Sequence, residues 1–177
     1  MNVVKLGLVM GLAFFTLAGF ALTGCNAKKN SNEVKEVHWD RDMCERCKMV
    51  VSDRHHAVQV INPKTHKAQM FDDLGCTVLW FKEEKIAWED QAILWITDAQ
   101  SGAWIDARKA YYDEGNITPM AFGFAPHLKK EDIAKDKEIL SFEQVSVKII
   151  EIKKKKMKNK MMHKNKKHNN MKQGEMH

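Results

Sequence analysis

Beyond residue 49 the chain alternates apolar and polar positions in short runs separated by turn-forming residues, a β-rich pattern with helical interludes. Val37, His38 and Trp39 are expected as a first short strand. His56-Ala57-Val58-Gln59-Val60-Ile61 reads as a second, Asn62-Pro63-Lys64-Thr65 as a turn, and residues 66–71 as the returning strand, so residues 55–71 should form a hairpin. Leu74, Val78, Leu79 and Phe81 then recur with helical spacing, predicting a helix that ends near Glu84. Asp72 or Asp73 is placed to cap it, and both acids suit the positive end of its dipole. Ile93-Leu94-Trp95-Ile96 is a further strand. The second half repeats this order coarsely. Residues 103–107 are a strand, residues 116–119 a connection, residues 120–125 another strand, and residues 130–137 a helix with Glu131 and Asp132 in its first turn. Residues 139–142 are short and extended, and residues 145–152 fit either a helix or a strand. The expected class is α+β, two small ββα-type units packed together, at about 37–99 and 100–152. No residue-by-residue repeat accompanies the similarity of order.

The ends of the chain follow other rules. Lys5 precedes an uncharged, mostly apolar run over residues 6–22, the pattern of an export signal. At 17 residues it is slightly short for a membrane span. Leu22-Thr23-Gly24-Cys25 resembles the lipobox of bacterial lipoproteins, which implies removal of residues 1–24, diacylation of Cys25, and a membrane anchor at the cell envelope facing the periplasm. Residues 25–36 then read as a lipidated tether, and residues 37–152 as the folded domain. Residues 153–177 show no hydrophobic periodicity and are expected as a disordered tail rich in Lys, Met and His. The formal charge of +6 resides in that tail: residues 151–177 hold ten lysines against Glu151 and Glu175. Residues 26–150 carry eighteen basic against twenty-one acidic groups, a balance of −3, which does not fit a nucleic-acid-binding face. Five of the eleven methionines lie in the tail, so it reads either as a weak metal collector or as a basic segment touching anionic lipid.

Cys44-Glu45-Arg46-Cys47-Lys48-Met49 concentrates two thiols and a thioether in six residues. A Cys-x-x-Cys pair serves as a metal clamp, a disulfide or a redox couple. The adjacent thioether moves the balance toward Cu(I), which accepts sulfur of both kinds, whereas zinc gains little from it. No Ser/His/Asp constellation, phosphate loop or dinucleotide fingerprint occurs.

Four blocks together carry a resemblance: Cys44-x-x-Cys47-Lys48-Met49, Phe71-Asp72-Asp73-Leu74-Gly75-Cys76, Trp104-Ile105-Asp106-Ala107 and Thr118-Pro119-Met120. In that order they resemble the NosL family, copper-binding lipoproteins that accompany the assembly of nitrous oxide reductase. The resemblance covers about residues 40–145. Lys48 departs from it, standing where the family commonly has glycine. The resemblance implies a fold of two ββα-type repeats, a Cu(I) ion, and its delivery to periplasmic or membrane assembly proteins, with no turnover of a substrate.

Cys44 and Cys47 are the leading ligands, Met49 the third sulfur, and Met120 the candidate from the second unit, with core packing as its alternative. Cys76 and Met70 are read as core before ligand. His55 and His56, if in a strand, face opposite ways, so one at most joins a site. His127 is expected at the surface, and Asp72 and Asp73 at the helix start. Two other functions fit the cysteines: an envelope thiol–disulfide oxidoreductase using Cys44 and Cys47, and a structural zinc protein, which would need a closed four-ligand site.

Overall fold

The computed structural model describes residues 32–174. The signal, Cys25 and most of the tether lie outside the described residues. Among the described residues no helix is long and apolar enough to cross a membrane.

The chain is mixed α+β, as expected, and opens with the hairpin of β1 (Val58–Ile61) and β2 (Ala68–Phe71), which pair antiparallel with Val58 opposite Phe71. Asn62 shapes its turn by accepting from the backbone N–H of Lys64 and Thr65 at 2.9 and 3.1 Å. Helix α1 (Leu74–Glu83) follows, and β3 (Ile93–Thr97) and β4 (Trp104–Asp106) complete a four-stranded antiparallel sheet in the order β2-β1-β3-β4. A second sheet consists of β5 (Tyr111–Glu114) and β6 (Phe124–His127) alone, and the chain continues into α2 (Phe142–Gly174). Each half thus contains a β-β-α run, and the first is extended by β3 and β4. The expected division near 99/100 does not separate the sheets, because β4 joins β3 through Trp95–Asp106, Ile96–Ile105 and Thr97–Trp104.

Both faces of the larger sheet are covered. On one, Val58, Phe71, Leu94, Ile96 and Ile105 are buried, and Phe71 meets Trp80 of α1 at 5.2 Å between ring centroids. On the other, Gln59 stands opposite Trp95 and Met70. The segment before the sheet crosses this face. Gln59 accepts from Lys35 N–H at 2.7 Å and donates to Lys35 C=O at 3.2 Å, while Trp95 Nε1 donates to Asn32 C=O at 2.9 Å. Covering both faces explains why all four residues of β1 are buried, polar Gln59 included. It also makes Met70 core, 8% exposed with its sulfur 3.4 Å from Gln59 Nε2.

Several local expectations are corrected. Residues 37–39 form no strand, since the N–H groups of Arg41 and Asp42 turn back to His38 C=O, and Trp39 stacks on Trp104 at 6.1 Å. β5 was not expected. Tyr112 within it is fully buried, exchanges two backbone hydrogen bonds with Leu140, and donates its hydroxyl to Ala107 C=O at 2.6 Å. The strand expected at 120–125 is β6, four residues later at its start, because residues 118–123 form a loop with Ala121 and Gly123 at positive φ. The helix expected at 130–137 is a single 3-10 turn, Lys130–Asp132, with no side-chain cap. Finally, α2 runs to Gly174, so residues 153–174 are helical where a structureless tail was expected. Lysine and methionine are good helix formers, and the packed first turns supply the nucleus. That extension adds nothing to the core: residues 154–164 are all exposed.

Gly75, in the first turn of α1, is where the second half closes on the first. A Cβ there would lie 2.1, 2.3 and 2.6 Å from three ring atoms of Phe122. Gly75→Ala should gain ~1 kcal/mol of helix propensity. It should lose about 3 kcal/mol to overpacking. A net loss of roughly 2 kcal/mol in urea unfolding is therefore expected, relieved when Phe122→Leu is combined with it.

Candidate metal centre

Residues 42–51 form a loop folded back on itself. Cys44 N–H donates to Met49 C=O at 2.8 Å, Lys48 N–H to Cys44 C=O at 3.0 Å, and Val51 N–H to Asp42 C=O at 2.8 Å. Glu45 N–H donates to Met70 C=O at 2.8 Å and fixes the loop to β2. The tight return passes through Lys48, whose φ of 59° is left-handed. This is the position at which the resembling family commonly carries glycine, so the turn is kept here at a cost of ~1 kcal/mol in strain.

Cys76 comes from elsewhere. It occupies the first turn of α1, whose start is set by Asp73 in an extended conformation with its Oδ1 accepting Gly75 N–H at 2.6 Å. The second carboxylate oxygen reaches the other half of the chain, accepting Thr118 O–H at 2.6 Å and Met120 N–H at 3.2 Å. Thr118 Oγ1 in turn accepts the N–H groups of Phe122 and Gly123, both at 3.2 Å. Asp73 is therefore the cap foreseen in the sequence and also the tie between α1 and the Thr118 loop.

These two elements bring Cys44, Cys47 and Cys76 together as free thiols, with all three sulfurs within 4.8 Å of one another. Cys44 and Cys76 are fully buried, and Cys47 is part-exposed. The Cys44 thiol is held down at about 5: Cys76 S–H donates to it, burial opposes, and the N–H groups of Cys47 and Asp72 add two further donors. Cys76 is pushed far up by serving as that donor, by burial and by the adjacent thiolate. Burial likewise raises Cys47. The lowering of Cys44 and the raising of Cys47 and Cys76 favour one shared negative charge over three. Asp72 is raised to about 6 by burial first and then by the Cys44 thiolate. Arg46 also lies against the cluster. Its guanidinium bonds Glu83 in a two-point pair at 2.8 and 2.9 Å and also reaches the Cys76 sulfur.

Of the sequence candidates, Cys44 and Cys47 therefore meet, and Cys76, read as core first, joins them. Met49 contributes its carbonyl to the loop while its side chain is 49% exposed. Met120 is half-buried against the core, its N–H on the carboxylate that caps the helix of Cys76. Among the described residues no histidine joins the cluster. His55 and His56 fall in a turn, not a strand, and His56 Nδ1 lies 3.1 Å from Asp53. His127 is not the surface residue expected: its side chain is 12% exposed, and Nε2 lies 2.8 Å from buried Asp113, which also pairs with Lys137. Sequence reasoning missed Arg46 and undervalued Cys76. The signal for Cys76 was its place three residues after the capping acid, in the first turn of the expected helix.

No family model and no curated protein matches the chain. A solved structure does: the crystal structure of the copper chaperone NosL from Shewanella denitrificans, at a TM-score of 0.54 and 12% identity, over 64% of this chain and 95% of that one. The fold is NosL-like. In such a fold a cluster of three thiols suits a thiophilic ion, since soft sulfur selects Cu(I), zinc or iron–sulfur chemistry. Among the described residues no histidine or carboxylate joins the group to make the fourth ligand of a closed zinc site.

Two measurements follow. In the reduced, metal-free protein one thiolate should titrate near pH 5 by ultraviolet absorbance, and Cys44→Ser should abolish that step. Because the unfolded thiol keeps its proton up to about 9, Cys44 should add stability as pH rises from about 6 to 9. That contribution is lost as pH falls through about 5, where Asp72 acts in the opposite sense because its pKa is raised. Second, Asp73→Ala strands three donors and should cost about 3 kcal/mol in urea unfolding, with Asp73→Asn losing less because one oxygen still caps α1.

Proposed function

We propose that this protein is a Cu(I) metallochaperone, anchored to a membrane through lipidated Cys25 and facing the periplasm, that hands its ion to an extracytoplasmic assembly system. The observation that carries the reading is the three-sulfur cluster within 4.8 Å in a NosL-like fold. Cys44, Cys47 and Cys76 supply the thiolates, and Met49 and Met120 are the candidate thioether donors. Copper is cargo here, and no chemical turnover is involved. The resemblance of the four sequence blocks to NosL proteins supports a role in the maturation of nitrous oxide reductase.

The thiol properties count against a dithiol oxidoreductase. Such enzymes expose a thiol of low pKa to attack their substrate. Here the thiol held down is buried Cys44, while the accessible Cys47 is pushed up. A cation that displaces the protons of Cys47 and Cys76 needs no such access.

Anaerobic Cu(I) competition with a chromophoric chelator tests the assignment. The wild type should bind one ion tightly, and Cys44→Ala combined with Cys47→Ala should lose tight binding while retaining its fold. Cys76→Ala should weaken binding markedly. Met49→Leu should weaken it by no more than about ten-fold, since one soft donor goes at nearly constant volume. Unchanged affinity in the double cysteine variant refutes the reading, and unfolding of the metal-free wild type would point to structural zinc.

A further inference from the structure

Residues 153–164 of α2 hold seven lysines and no acid, and residues 154–164 are all exposed. Met157, Met161 and Met162 are interleaved with them at 48%, 60% and 54% exposure. The base of this segment is attached to the domain. Lys153 Nζ lies 3.8 Å from Glu83, and Lys156 donates to Ala121 C=O at 3.2 Å with its ammonium 4.8 Å from the Phe122 ring centroid. The helix therefore carries its charge away from the face formed by the end of α1 and the Thr118 loop.

Three features decide what such a helix meets. The first is the kind of cation: residues 151–177 hold ten lysines and no arginine. Arginine, with its planar fork, suits discrete phosphate recognition, whereas lysine is a point charge for a diffuse field. The second is distribution. Lys153, Lys154, Lys155 and Lys156 are consecutive, about 100° apart around the axis, so no single face is marked for a groove. The third is the methionines, apolar side chains able to enter a headgroup region while lysine stems extend toward its anions. A nucleic acid would require the basic surface to continue on the domain, yet residues 26–150 carry a balance of −3. A thiophilic ion at Met157 and Met161 would face repulsion from the surrounding lysines.

We propose that residues 153–164 dock on the surface of a bilayer containing anionic phospholipid. The charge of the helix supplies the attraction, and its attachment at Lys153 and Lys156 transmits that orientation to the domain. This docking is separate from any lipid on Cys25 and does not depend on the copper reading.

The test uses the full chain with vesicles of phosphatidylcholine alone and of phosphatidylcholine with phosphatidylglycerol. The N-terminal apolar segment contributes to both, so the readout is the ratio of the two partition coefficients. The wild-type ratio should be well above one at low salt and fall toward one as salt is raised. A variant with Lys154→Gln, Lys155→Gln, Lys158→Gln and Lys160→Gln should lower it on the order of a hundred-fold. None of these lysines belongs to the cysteine cluster, so near-ultraviolet circular dichroism should be unchanged. A wild-type ratio near one overturns the proposal, as does a ratio that survives the four substitutions. Tighter binding to duplex DNA than to the anionic vesicles at matched salt overturns it in favour of nucleic acid.

Discussion

The buried carboxylate of Asp73 joins the two halves of this protein at the point where the sulfur cluster forms. One oxygen caps α1, and the other takes the hydroxyl of Thr118 and the N–H of Met120. Burying a carboxylate is unfavourable unless its lone pairs are filled, and here three donors fill them. The same contact sets the start of the helix that carries Cys76 and seats the loop that carries Met120. Gly75 completes the arrangement, because only a residue without a side chain lets Phe122 lie on that first turn.

Around this tie the sulfur cluster solves a problem of charge. Three thiolates in a buried site would repel one another, and the metal-free protein holds one negative charge distributed by S–H donors. In the proposed function a monovalent cation would replace those protons; Arg46 stands against Cys76, where it offsets negative charge. Arg46 is held in turn by Glu83, which Lys153 of α2 approaches at 3.8 Å. The cluster, α1 and the base of the lysine-rich helix are thereby linked through one ion-pair network. Cys47 is the one of the three cysteines that solvent reaches.

Elements governed by local rules were legible in the sequence. The hairpin of β1 and β2 with its Asn62 turn, α1 with its aspartate cap, strand β3 and the turn that brings Cys44 toward Cys47 each follow from periodicity or spacing within about ten residues. The α+β class follows from their order. What could not be read locally was whatever distant partners decide. β5 lacks a run of alternating residues and exists because Tyr112 pairs with Leu140 and β5 with β6. Residues 120–123, apolar enough for a strand, are a loop because Asp73 and Thr118 take their N–H groups. His127 lies inward because Asp113 needs a donor there. The sequence by itself determined the cysteine pair and the helix beside it. Only the tertiary structure decided that Cys76, twenty-nine residues after Cys47, completes the cluster, since sulfurs from a loop and a helix converge through packing that no local pattern encodes.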